Sequence, residues 1–301
     1  RNLSTWWLYL ISCGTSTPVS APTQYRQMLS AEERAVRVSM AVRGMRPSIA
    51  ELDLVADDAG AIGTLVDDWL TSDAFGDTIE DLHAEMLWVR NDTEPVFPAD
   101  GELGAWSSRD IHRSLADAPL LLVRDIVLED RPYTEIVTSD VEYSNPVLAA
   151  MYGIPYDPTG PWWQAVTWDD GRPAAGLLSH SALYIRHQSN GDNFNRGRAD
   201  FIADRFLCES FGERDLVADD DVDLTDAGAV TDALNTAPAC LSCHQGLDPL
   251  AAVLHGFNPV MQRTSVERAR SEHHCVGDGA DYCYPMRVYR PEYEDLWAEV
   301  G

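Results

Sequence analysis

Apolar residues recur every three or four positions along most of the chain, the spacing that gathers them on one face of an α-helix. Two of these stretches begin at Ser30 and Ser48, each with a glutamate three positions later, the capping-box pattern of a helix start. Further helices are predicted at about residues 60–71, 76–89, 108–129 and 145–152, with a break or kink at Pro119. The pattern therefore predicts a mainly α, multi-helix globular fold.

The middle of the chain follows a different pattern. Residues 164–168 and 174–178 flank the turn-forming sequence Asp169-Asp170-Gly171-Arg172 and predict a small β-hairpin. Further on, residues 201–208 form an apolar helical stretch, and residues 215–226 contain six Asp and predict an acidic surface loop. A short helix then precedes Cys240, and Asp248-Pro249-Leu250 predicts the start of another.

Charge narrows the choice of partners. The 301 residues include 49 acidic and 22 basic side chains, for a net charge of −27, and every basic side chain is arginine. Such a surface repels nucleic acid and anionic lipid headgroups, so neither is an expected partner. The absence of lysine also excludes Schiff-base chemistry and a P-loop phosphate site.

The most distinctive motif is C-x-x-C-H, formed by Cys240, Cys243 and His244. Two thiols at this spacing can each add to a haem vinyl group, and the adjacent imidazole is then the proximal iron ligand. The motif predicts one covalent haem c in a C-terminal helical segment. A C-x-x-C disulfide or redox pair is an alternative, as is half of a zinc site, for which the run from His273 to Cys275 would supply the other half.

The N-terminal segment predicts export. An apolar, aromatic run over residues 3–11 is too short to span a bilayer and has the character of a signal-peptide core. It ends just before Cys13 in a sequence that resembles a bacterial lipobox. We therefore expect Cys13 to carry a lipid after cleavage, with the protein anchored at the cell envelope and touching the membrane through that lipid alone.

Three cysteines remain, Cys208, Cys275 and Cys283. In an oxidising compartment two of them should pair, and Cys275 with Cys283 is the nearest choice, closing a small loop. Cys208 would then be a free thiol buried in its helical stretch. Pairing of Cys208 with either C-terminal cysteine is the alternative, because sequence alone does not fix disulfide connectivity.

The sequence offers several candidates for the second axial ligand of the iron. Met286 lies well downstream of His244, a separation similar to that in small electron-carrying cytochromes c, and is the first candidate. The other candidate ligands are Met261, His180, His255, His273 and His274. A further alternative is an iron site with no second protein ligand.

Several segments share their order and spacing with a known group of proteins. They are residues 29–88, residues 129–136, Gly176-Leu177-Leu178-Ser179-His180, Asn195-Arg196-Gly197-Arg198, and residues 238–250 around the C-x-x-C-H motif. Over these segments the chain resembles the helical and haem-motif domains of planctomycete-type cytochromes c, found also in myxobacteria. The resemblance implies an exported redox protein and names no substrate.

These patterns divide the chain into five segments. We predict a signal peptide at 1–12, a lipidated tether at 13–28, an N-terminal helical domain at 29–135, a middle helical region with the hairpin at 136–213, and the haem-motif region at 214–301.

Electron transfer between redox partner proteins is the function that this organisation favours. The alternatives are a haem-dependent oxidoreductase with an open iron site, and a non-haem surface lipoprotein whose C-x-x-C is a disulfide or a zinc site. The sequence has no H-E-x-x-H motif and no Gly-rich phosphate loop that would name an enzyme.

Overall fold

The computed structural model describes residues 28–90, 103–168, 171–180, 195–212 and 225–254, positions 183, 184, 187, 222 and 223, and the backbone of 273–275 and 283–285. The helices are α1 Ala31–Arg43, α2 Ile49–Asp57, α3 Ala61–Trp69, α4 Asp73–Leu87, α5 Ser108–Leu128, α6 Pro146–Tyr152, α7 Arg196–Ile202, α8 Ala227–Thr236 and α9 Pro238–Val253. The strands are β1 Val141–Ser144, β2 Gln164–Thr167, β3 His273–Cys275 and β4 Cys283–Pro285. The predicted mainly helical fold with a small antiparallel sheet is confirmed.

The capping boxes predicted for α1 and α2 both form. The Ser30 hydroxyl accepts a hydrogen bond from the Glu33 amide, and the Glu33 carboxylate accepts one from the Ser30 amide. Ser48 and Glu51 repeat this exchange in α2. Both pairs satisfy backbone donors that a helix start otherwise leaves without partners. The three N-terminal helices then enclose a small core of their own: Ala35, Val42, Val55, Leu65 and Trp69.

The main core lies between α4, α5, α6 and the 3₁₀ turns, with Leu87, Ile111, Leu122 and Leu148 among its fully buried members. Helix α5 is 21 residues long and continues through Pro119, so this proline does not end the helix. Both halves of α5 bury apolar side chains in the same core, and this packing outweighs the backbone hydrogen bond that proline removes.

The predicted hairpin is wrong in one of its two strands. Strand β2 forms where expected, but it pairs with β1, with Val141 opposite Thr167. The expected partner contains a 3₁₀ turn, Gly176–Ser179. Gly176 has a φ of 53° and donates its N–H to the Ser139 carbonyl at 2.7 Å, a geometry that diverts this segment from the sheet.

The prediction that a new helix starts at Asp248 is also wrong. One helix runs from Pro238 to Val253 with Pro249 inside it. Cys243, Leu247 and Ala251 lie on both sides of Pro249 in the sequence and form one buried face, which packs on α7 and Phe211. Burial of this face favours a helix that continues through the proline. None of the helices described is both long and apolar enough to cross a bilayer.

Candidate functional site

Helix α9 carries the C-x-x-C-H motif in its first two turns. Pro238 is the first helical residue, where its fixed φ suits the helix and its missing N–H costs nothing. Cys240, Cys243 and His244 are three and four positions apart, so their side chains share one side of the helix. The two thiols and the imidazole therefore lie together near the start of α9, where they could bind the same ligand.

Both cysteines of the motif are free thiols in the structure. Cys243 is buried against α7, beside Ala199 and Ala203, with 8% of its surface exposed. Cys240 is half-buried, one turn nearer the start of α9. Unpaired thiols are the form that thioether formation requires.

The His244 ring is oriented by a carboxylate on its own helix. Its Nδ1 lies 3.0 Å from Oδ1 and 3.1 Å from Oδ2 of Asp248, four residues further along α9. Because a carboxylate only accepts, a neutral ring here donates from Nδ1 and leaves the Nε2 lone pair available. This is how histidine ligands are commonly oriented towards metals in proteins.

Asp248 is held in turn by an arginine from another helix. Arg196, the first residue of α7, donates from Nε to Oδ1 at 2.7 Å and from Nη2 to Oδ2 at 3.0 Å, the paired geometry that guanidinium and carboxylate favour. Burial alone would raise the pKa of Asp248, but the hydrogen bonds from Arg196 and His244 outweigh it and lower the pKa below 3.8. The carboxylate therefore stays ionised at neutral pH.

A buried polar frame fixes α7 relative to α9. Asn195, just before α7, donates from Nδ2 to the Leu254 carbonyl at the end of α9, 3.2 Å away. Arg198, with 1% of its surface exposed, donates to Oδ1 of Asn195 and to the Tyr184 carbonyl. Burial lowers the pKa of Arg198, partly offset by Tyr184, to about 9, which still leaves it charged at neutral pH. The frame holds Arg196 where it reaches Asp248.

His180, a candidate for the second axial ligand, lies in a different environment. It is 1% exposed, and its Nδ1 is 3.0 Å from a carboxylate oxygen of Glu142 on β1, although the approach lacks hydrogen-bond geometry. Glu142 itself accepts a hydrogen bond from Trp168. His180 therefore lies beside β1, whereas Cys243 on α9 packs against α7.

Cys208 differs from the expectation of a buried free thiol. It is exposed and disulfide-bonded, and its partner lies among the cysteines whose side chains fall outside the described residues. The physical reason is local: a π-helical turn, Ala203–Leu207, follows α7 and ends at Cys208 in a left-handed conformation with φ 56°. This turn carries the cysteine off the helical face that the apolar pattern indicated.

Several other predicted residues lie outside the described part of the chain. They are Cys13, Met261, Met286 and His255. Residues 273–275 and 283–285 are described in backbone only, where β3 and β4 pair with Cys275 opposite Cys283. A disulfide between these two cysteines stays a prediction, and it is compatible with the disulfide of Cys208 only if Cys208 pairs with Cys13. With a lipid on Cys13, the alternative in which Cys208 pairs with Cys275 or Cys283 takes its place. Among the side chains that the structure does describe, no group of three or more His, Cys, Asp or Glu residues is placed to bind a metal.

Reasoning from the sequence missed Asp248 and Arg196. The His-x-x-x-Asp spacing is a usable signal, because residues four apart on a helix are neighbours. Pro249 masks this spacing, because a proline directly after Asp248 indicates the start of a new helix. No periodicity or motif spacing pairs Arg196 with Asp248, because the two residues are 52 positions apart.

Comparison of the chain with protein-family models, curated proteins and solved structures found no match.

Proposed function

We propose that this protein is an exported c-type haem protein that transfers electrons at the cell envelope, anchored there by a lipid on Cys13. One observation carries the proposal: two free thiols and an imidazole oriented by a carboxylate occupy one side of α9. Cys240 and Cys243 would each add S–H across a haem vinyl group, and His244 would bind iron through Nε2.

The residues present fit haem c better than either non-haem alternative. A disulfide needs Cys240 and Cys243 to be joined, and they are free thiols. A zinc site needs further ligands near the motif, and the side chains that the structure describes there supply the Arg196–Asp248 pair instead. Asp248 satisfies the need of a metal-bound histidine for an acceptor at its second nitrogen.

Haem supplies the one-electron chemistry, and the chain supplies attachment, orientation and surroundings. Helix α9 fixes the thiols and the imidazole, and one side of α9 is covered by Ala199 of α7 and by Ala203 at the start of the π-helical turn. A second protein ligand to the iron would make the protein a carrier, whereas an iron site left open would bind external ligands and allow enzymatic chemistry. Met286 is our proposed second ligand, which makes the protein a carrier between redox partner proteins.

The spectrum of the loaded protein tests the proposal. The full chain, exported by a bacterial host that attaches haem, should show a Soret band and, after dithionite reduction, the sharp α and β bands of a low-spin c-type haem. Carbon monoxide should leave the reduced spectrum unchanged. A shift on carbon monoxide addition would replace electron transfer with an open iron site, and the absence of any Soret band would end the haem proposal.

A matched pair of variants assigns the attachment residues. Cys240→Ser with Cys243→Ser should abolish haem staining on a denaturing gel. Ser242→Ala, between them on the same helix and exposed, should keep it. Equal staining of the two variants would show that haem is attached elsewhere or is not covalent.

A further inference from the structure

We infer that Asp248, held by Arg196, positions His244 and lowers the reduction potential of the haem iron. The inference rests on the proposed function, since it concerns the ligand of the same site. It assigns a role to two residues outside the C-x-x-C-H motif.

The first step is the tautomer of His244. Both oxygens of Asp248 lie within 3.1 Å of Nδ1, and the two side chains stand one turn apart on α9. The carboxylate has no proton to donate at neutral pH, so the ring places its own proton on Nδ1. Nε2 is then the only nitrogen able to donate a lone pair to iron, and the ring cannot rotate without losing this hydrogen bond.

The second step is electronic. An anionic acceptor at Nδ1–H draws the proton towards itself and leaves more electron density on the imidazole, which raises the basicity of Nε2. A more basic axial ligand stabilises the ferric iron, which carries one more positive charge, over the ferrous iron. The ferric–ferrous couple therefore shifts to lower potential, with no change in the ligand atoms themselves.

The third step is the stiffness of the arrangement. Arg196 forms two hydrogen bonds to Asp248, and its own helix is anchored through Asn195 to the end of α9. Arg196, Asp248 and His244 are each partly buried, with 18%, 29% and 25% of the side chain exposed. Water therefore competes weakly for the Asp248 oxygens, and the carboxylate stays on Nδ1.

Asp248→Asn tests the electronic step, because it keeps the size of the side chain and removes its charge. In the haem-loaded full chain, potentiometric titration should show a higher reduction potential than in the wild type. Asp232→Asn, an exposed position on α8, makes the same change in net charge and controls for the overall field. It should move the potential much less. Equal shifts in the two variants, or no shift in Asp248→Asn, overturn the inference while the haem bands leave the proposed function standing.

A second measurement covers the case in which Asp248→Asn fails to fold. The haem-free wild-type chain, labelled with ¹⁵N-histidine and kept reduced at about pH 8, above the usual histidine pKa of about 6.5, should show His244 protonated on Nδ1. Its signal is assigned by its absence in His244→Gln. Protonation on Nε2 contradicts the inference whether or not haem binds, and a chain that never acquires haem refutes the proposed function alone.

Discussion

At the scale of single residues, two glycines with positive φ differ in the space around them. Comparing them distinguishes backbone strain from steric overlap. Gly176 has φ 53° and Gly153 has φ 64°, so both conformations disfavour a side chain. A methyl group at Gly176 would overlap the Ile136 carbonyl, whereas one at Gly153 would meet nothing within 4 Å. Gly176 is thus needed for close approach of two segments, and Gly153 only for its turn at the end of α6.

Gly176→Ala should therefore destabilise the fold by about 3 kcal/mol, the sum of left-handed strain and an overlap that backbone must move to relieve. Gly153→Ala should cost about 1 kcal/mol, because strain acts alone. Urea unfolding of both variants measures the difference. Similar losses would contradict the close approach of Gly176 to Ile136.

Glu51 couples a helix cap to a tertiary contact. Burial would raise its pKa, but hydrogen bonds from Trp69, Ser48 and Arg43 outweigh burial and lower the pKa from 4.5 to about 2. A lowered carboxyl pKa stabilises the folded state above pH 4.5. That contribution is lost as pH falls from 4.5 towards 2.

Glu51→Gln should accordingly lower the free energy of unfolding most at neutral pH, and the deficit should shrink to near zero at about pH 2. Glu33→Gln is the matched control, since Glu33 makes the same cap contact in α1 without Trp69 or Arg43 as partners. Chemical denaturation over a pH series checks the account. A deficit at Glu51 that does not change with pH would refute it.

At the scale of elements, α4 and α5 are joined by a carboxylate shared between two arginines. Glu80 on α4 accepts a hydrogen bond from Arg90 at 2.7 Å and another from Arg124 on α5 at 2.8 Å, with 11% of its side chain exposed. Asp81 also pairs with Arg90, but 78% of its side chain is exposed. The two carboxylates differ in burial, so their ion pairs should contribute differently to the free energy of unfolding.

Glu80→Gln should destabilise the protein by about 2 kcal/mol, because charge-assisted hydrogen bonds to two arginines weaken in a partly buried site. Asp81→Asn should cost less than about 1 kcal/mol, as exposed ion pairs generally do. Thermal unfolding at low and high salt measures both. Equal losses would show that burial of Glu80 does not strengthen its pairs.

The helices could be predicted because their signals are local. The caps at Ser30 and Ser48 and the apolar spacing of α5 each involve residues within a few turns, and all three appear in the structure. The partner of β2 could not be predicted. It depends on a contact between Gly176 and Ser139, which are far apart in sequence.

The candidate site divides in the same way. The spacing of Cys240, Cys243 and His244 is visible in five residues, and the structure places all three on α9. Arg196 joins them only because Ala199 of α7 and Ala203, which directly follows it, pack against α9. Tertiary packing of this kind leaves no periodic trace in the sequence.

At the scale of the whole molecule, the net charge of −27 sets how a partner approaches. A field of this sign attracts a redox protein with a basic surface and repels an acidic one. Salt screens both effects over about 10 Å at 0.1 M.

If the protein carries haem as proposed, its electron exchange with a basic redox protein should slow as ionic strength rises, and exchange with an acidic one should accelerate. Stopped-flow rates of haem oxidation at several salt concentrations measure both trends. Rates that ignore ionic strength with both partners would show that the acidic surface does not guide the encounter.

The intact mass of the exported protein tests the covalent haem most directly. Under denaturing conditions, the wild type and Ser242→Ala should each be heavier than their lipidated polypeptide by one haem. The variant with serine at both Cys240 and Cys243 should have the mass of its lipidated polypeptide alone. A wild-type chain that leaves a haem-attaching host at the mass of the lipidated polypeptide without haem would contradict the covalent attachment.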